Sequence, residues 1–102
     1  MKPIVVNSDN FNAEVRESPV PVLVDFYADW CGPCRLLAPT VEEIAVEAEG
    51  FRVAKLNVDK APALCEEFRV MSIPTVIVFK NGEAVARAVG VRPKEALLAL
   101  LG

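Results

Sequence analysis

From Val20 to Tyr27 the chain is apolar almost without a break, so a strand formed there has no face to offer water. Strands of that kind are buried on both sides, in sheets covered by helices. Trp30-Cys31-Gly32-Pro33-Cys34 follows directly. From near Cys31 onward Leu37, Val41, Ile44 and Ala48 recur at helical spacing, with Arg35, Glu42 and Glu49 on another face. The two cysteines therefore stand where a buried strand ends and a helix begins. A Cys-x-x-Cys pair in that setting reads as a redox site.

The helix start supplies the chemistry. Its first N–H groups have no partner within the helix, and the aligned peptide dipoles leave partial positive charge there. A free cysteine titrates near ~8.5, and a helix N-terminus lowers that value. Cys31, first and expected to be the more exposed, is assigned as the attacking nucleophile, and Cys34, one turn inward, as the resolving thiol. Pro33 suits a first turn, where its missing N–H costs no helix bond. With Gly32 it closes a tight, solvent-facing ring. The chain has three cysteines and no histidine. A structural zinc or iron–sulfur site usually takes four Cys or His ligands, so no metal is expected. Cys-His and Ser-His nucleophilic catalysis are excluded on the same inventory.

Asp25 interrupts the apolar run six positions before Cys31. A charged carboxylate is costly to bury in such a strand, and desolvation raises its proton affinity. Close beneath the cysteine pair, it is assigned as the general base for Cys34, directly or through a water. The competing reading is a strand residue that reaches a satisfied hydrogen bond or the surface.

Elsewhere, Ile4-Val5-Val6 makes a short strand, and Ser8 or Asp9 is expected to cap a short helix carrying Phe11 and Val15. Gly50 is expected to stop the helix that starts near Cys31. Phe51 to Val58 is a strand, and Pro62 opens a short helix with Leu64 and Phe68 one turn apart. Thr75–Phe79 and Glu83–Val89 flank Asn81-Gly82, a two-residue hairpin signal. Pro93 starts a last helix with Leu97, Leu98 and Leu101 facing inward. The order β-α-β-α-β-α-β-β-α allows parallel strands up to the third helix and requires an antiparallel final hairpin. An α/β chain with a mixed sheet and helices on both faces is expected, with its reaction site beyond strand carboxyl ends. Its 102 residues, 53% of them hydrophobic, suit one domain over 1–102. A net charge of −3 without a basic stripe argues against nucleic acid, and no run is long and apolar enough for a membrane span or a signal segment. The expected location is the cytoplasm, whose reducing conditions suit a reversible cysteine pair. Cys65 reads as a small buried hydrophobe beside Phe68; a regulatory thiol is the sharper alternative.

Val24-Asp25-Phe26-Tyr27-Ala28-Asp29-Trp30-Cys31-Gly32-Pro33-Cys34 resembles the thioredoxin family. So do Pro39 in the following helix, Ile73-Pro74-Thr75, Phe79-Lys80-Asn81-Gly82 and Gly90, and the likeness spans essentially the whole chain. The resemblance implies the thioredoxin fold, with about five strands, and an active site on the rim of the sheet. It implies a cis Ile73-Pro74 bond against the cysteine pair, and a docking surface of Trp30, Ile73, Pro74, Gly90 and Val91 for disulfide-containing protein substrates. Lys55 corresponds to the lysine that sits near the buried acid. Electrons would come from a thioredoxin reductase, to a monomer that needs no cofactor beyond its own cysteine pair. Tyr27 stands where the family usually has tryptophan, Arg35 where lysine is frequent, and Ser72 where glycine is common. With no histidine between the cysteines the pair should reduce other disulfides rather than oxidise thiols, since stabilising the reduced form raises the potential. The expected activity is protein-disulfide reduction. A more oxidising oxidase or isomerase, and a non-enzymatic subunit recruited by the same docking face, are the alternatives.

Overall fold

Pro21 has no N–H to give a ladder, and the central strand starts only after it. That strand, β2, is Val22–Tyr27, two residues shorter than the apolar run. The Pro21 carbonyl still accepts from the Arg52 N–H at 2.8 Å. The computed structural model describes residues 1–102. With β1 (Ile4–Val6), β3 (Arg52–Asn57), β4 (Thr75–Lys80) and β5 (Glu83–Val89), β2 forms one sheet in the order β1-β3-β2-β4-β5. β3 runs parallel to both β1 and β2. β4 is antiparallel to β2, so only the first two crossovers return parallel strands and the third, which the sequence left open to a parallel strand, reverses direction. The β4–β5 hairpin is antiparallel as expected. Asn81 (φ 54°) and Gly82 (φ 80°) turn it with two consecutive positive φ values, the backbone that two-residue hairpins favour.

Side chains alternate across a strand, and the core divides accordingly. Val22, Val24 and Phe26 face a cluster with Phe11, Val15, Leu64 and Phe79. Leu23 points the other way, toward Leu37, Val41, Ile44, Val76, Val78 and Leu97. The helices α1 (Gly32–Glu47) and α3 (Lys94–Ala99) cover that second face, and α2 (Pro62–Glu67) lies on the first. Each large apolar side chain so removed from water contributes about 1.5–3 kcal/mol. On the first face Phe11, Phe68 and Phe79 pack with ring centroids 5.0–5.6 Å apart. The Arg16 guanidinium covers Phe11 and Phe68 and bonds both carboxylate oxygens of Glu67.

Three local expectations are corrected. Neither Ser8 nor Asp9 caps the segment carrying Phe11 and Val15; it is a π-helical turn, Asn12–Arg16, without a side-chain cap. Asn7 and Asn10 build its approach instead: Asn7 Oδ1 accepts from the N–H groups of Asp9 and Asn10, and Asn10 Oδ1 from that of Asn7. Short amides reach their neighbours' backbone, so the turn precedes the helix rather than capping it. Gly50 does not end α1: Ala48 leaves the helix in extended backbone, and Gly50 (φ 78°) makes the turn that delivers Phe51 to the second core. Cys65 is half-buried rather than buried, because its outer side borders a surface groove.

Candidate active site

The alternation that sends Leu23 under α1 sends Asp25 and Tyr27 the same way, toward the helix that carries the cysteines. On β3, Val53 and Lys55 share that face, and Lys55 is the register partner of Asp25. Asp25, Tyr27, Lys55, Asp29, Cys34 and Arg35 consequently line one hollow of about 190 Å³. Asp25 is 4% exposed, and its Oδ1 has no hydrogen-bond partner. Burial pushes its carboxyl up from 3.8 to about 7, against the opposing pull of the Lys55 charge. Burial, then the charges of Asp29 and Asp25, push the Tyr27 hydroxyl up. The hollow has room for several waters.

Cys31 is the N-cap of α1, in extended backbone (φ −90°, ψ 112°), with Pro33 in the first turn. Its sulfur accepts from the Cys34 N–H at 3.2 Å, one of the amides that the helix leaves unpaired. Cys31 and Cys34 are joined in a disulfide, Cα to Cα 5.2 Å, with Gly32 and Pro33 exposed at its rim. The expected contrast in exposure is absent, since each cysteine is 4% exposed. They differ in surroundings. The Cys31 sulfur lies 3.8 Å from the Ile73 carbonyl oxygen, whereas Cys34 borders the Asp25 hollow.

The Ile73–Pro74 peptide bond is cis. Trp30 is 68% exposed and borders, with Ile73, a second, apolar groove of about 430 Å³. Pro74 and Gly90 are held together, the Gly90 N–H donating to the Pro74 carbonyl at 2.8 Å. They and exposed Val91 do not line the groove. Cys65 does, with its thiol pushed up by burial and by the Asp59 charge. Sequence reasoning missed Asp59, whose carboxylate accepts from Trp30 Nε1 at 2.8 Å. It also missed Asn57, which accepts from the Asp59 N–H at 3.0 Å and so fixes that carboxylate's turn. The only signal was an Asn-x-Asp pair after a strand, and its meaning depends on β3 lying beside β2. No three His, Cys, Asp or Glu side chains are grouped to hold a metal.

A family model for thioredoxin matches residues 2–102. The chain belongs to the thioredoxin family. It is 50% identical to the thioredoxin of Streptomyces clavuligerus over 93 residues, covering 91% of this chain and 87% of that one. It is 52% identical over 96 residues to the thioredoxin of Mycobacterium tuberculosis, covering 93% and 83%. The same identity over 96 residues links it to a bifunctional thioredoxin reductase/thioredoxin of Mycobacterium leprae, where the match takes up 21% of the longer chain. The five-stranded mixed sheet with helices on both faces is the thioredoxin fold. The chain is a protein-disulfide reductase of that family, with the Cys31–Cys34 disulfide as its redox group.

Proposed function

We propose a division of labour in which Cys31 attacks, Cys34 resolves and Asp25 moves the proton between them and solvent. The Cys31 thiolate attacks one sulfur of a substrate disulfide, forming a Cys31–substrate bond and expelling the other sulfur as thiolate. Asp25, as carboxylate, takes the Cys34 proton. The Cys34 thiolate then attacks the Cys31 sulfur, closing the ring and releasing the second substrate thiolate, to which the proton can pass. The substrate gains two electrons and the cysteine pair loses two. The observation that carries this reading is the buried, unpartnered Asp25 oxygen in a hollow that reaches Cys34. A carboxyl whose proton affinity is near neutrality is matched to taking and returning a proton at neutral pH.

Gly32, Pro33 and Lys55 tune the site: the first two shape the ring, and Lys55 acts on Asp25 by its charge. Trp30, Ile73, Pro74, Gly90 and Val91 form the docking surface for the substrate chain. The exposed indole and the Ile73 carbonyl beside the Cys31 sulfur support that assignment. Electrons come from a thioredoxin reductase; the fused Mycobacterium leprae relative supports this donor. The unit acts as one domain over 1–102, as a monomer, in the cytoplasm, and without nucleic acid or membrane partners. No helix is long and apolar enough to cross a membrane.

The test uses a protein disulfide substrate and trapping. Cys34→Ser should accumulate a mixed disulfide through Cys31, seen by mass spectrometry, and Cys31→Ser should neither trap nor reduce. Asp25→Asn should slow resolution most near neutral pH. Trapping through Cys34 in place of Cys31, or an unchanged pH profile in Asp25→Asn, would overturn the assignment.

A further inference from the structure

Lys55 and Asp25 face each other across β2 and β3, yet neither takes part in any of the chain's ion pairs. The Lys55 ammonium lies over the Tyr27 ring instead, 5.8 Å from its centroid. We propose that the Tyr27 ring is a positioning element of the reaction: it seats the Lys55 ammonium away from the Asp25 carboxylate, and so weakens the hold of that charge on the carboxylate.

Two options compete for a lysine placed here. An ammonium within about 6 Å of an aromatic face is attracted by the ring's electron density. An ammonium against a carboxylate in a partly dehydrated hollow is attracted more strongly, at the expense of the carboxyl's proton. The flexible stem of Lys55 allows both, and alternation along β2 puts ring and carboxylate on one face, two residues apart. The other groups around Asp25 leave this choice to Tyr27. β4 presents Val76 opposite Asp25, and α1 presents Cys34, Ala38 and Arg35. Arg35 is engaged with the Asp29 carbonyl at 2.7 Å, and the Asp29 carboxylate accepts from Asn57. Lys55 is thus the one cation at the hollow free to approach Asp25. An aliphatic side chain at 27 would leave it no aromatic seat.

The consequence for rate rests on Asp25 being the base for Cys34, but the positioning itself does not. The experiment is an NMR titration of the Asp25 side-chain carbon in the oxidised protein, where neither Cys31 nor Cys34 titrates. Wild type, Tyr27→Phe, Tyr27→Leu and Tyr27→Met are compared, each with Lys55 and with Lys55→Met. The expected result is unchanged proton binding in Tyr27→Phe, which keeps the ring. In Tyr27→Leu and Tyr27→Met it should be roughly two- to fivefold weaker, the equivalent of one exposed cation–ring contact. In the Lys55→Met background the residue at 27 should make no difference. Proton binding unchanged in both Tyr27→Leu and Tyr27→Met, or an effect that survives Lys55→Met, overturns the inference. So does a Tyr27→Phe variant that behaves like Tyr27→Leu. The readout is a carboxyl titration and not a rate, so the inference can fail while Asp25 remains the base, and can hold if it does not.

Discussion

Replacing Asp25 by alanine should make the oxidised protein more stable, and increasingly so as the pH rises. The folded chain binds the Asp25 proton with a pKa of about 7, the unfolded chain with one of 3.8. A raised folded value means that protonation favours the folded state. The contribution is complete below 3.8 and disappears as pH climbs through 7, where folding must bury a charge. The gap is worth about 4 kcal/mol in full, at roughly 1.4 kcal/mol per pH unit. Between about pH 5 and about pH 8 roughly 3 kcal/mol of it is lost from the wild type. Alanine also leaves a small cavity, a cost independent of pH, so the informative quantity is the change in the difference between the two proteins. The chain has no histidine to titrate in that interval, and the disulfide keeps Cys31 and Cys34 silent. Urea unfolding of both proteins at several pH values, analysed by linear extrapolation, measures it. The two stability curves should diverge by about 3 kcal/mol from pH 5 to pH 8. Parallel curves would refute the argument that burial, only partly offset by Lys55, governs this carboxyl.

Gly82→Ala should cost about 1–3 kcal/mol in urea unfolding, since its φ is 80° and a Cβ would stand 2.8 Å from the Arg16 carbonyl oxygen. An unchanged midpoint would mean the hairpin moves freely away from that carbonyl. Arg16→Met should lose about 1–2 kcal/mol, because the guanidinium both caps two phenylalanine rings and bonds Glu67; high salt should remove only part of the difference. Trp30→Ala should raise KM for a protein disulfide several-fold while leaving reduction of a small-molecule disulfide nearly unchanged, as measured by steady-state kinetics on both substrates. Cys65 should react with iodoacetamide more slowly than a cysteine in an unstructured peptide, because burial both covers the thiol and raises its pKa.

The strands and the hairpin were legible because their signals are local: short apolar runs, and an Asn-Gly pair whose turn needs positive φ at both positions. Asp25 was legible for a related reason, since a lone carboxylate in a two-sided strand has nowhere inexpensive to go. The approach to the first helical turn was not. Asn7 and Asn10 compete with Ser8 and Asp9 for the same backbone donors, and the winner depends on Asn10 also reaching the Val5 carbonyl. The direction of β4 was hidden because a continuous apolar run reads the same for a parallel and an antiparallel neighbour, and nothing in the connection after α2 says which way the chain re-enters the sheet. Asp59 under Trp30, and Lys55 over Tyr27, required knowing that β3 and β2 are neighbours in matched register. Exposure of the two cysteines was misjudged because chain order alone made Cys31 the outer one, whereas Ala28, Tyr27, Val58 and Ile73 pack around the pair and leave both sulfurs equally covered.

The hollow beside Asp25 and the groove beside Trp30 have no residue in common. A guest polypeptide stretched along the groove would therefore leave the second doorway uncorked. Hydrogen ions could come and go there while the guest stays seated, so a bulky client need not detach before the carboxyl is reset.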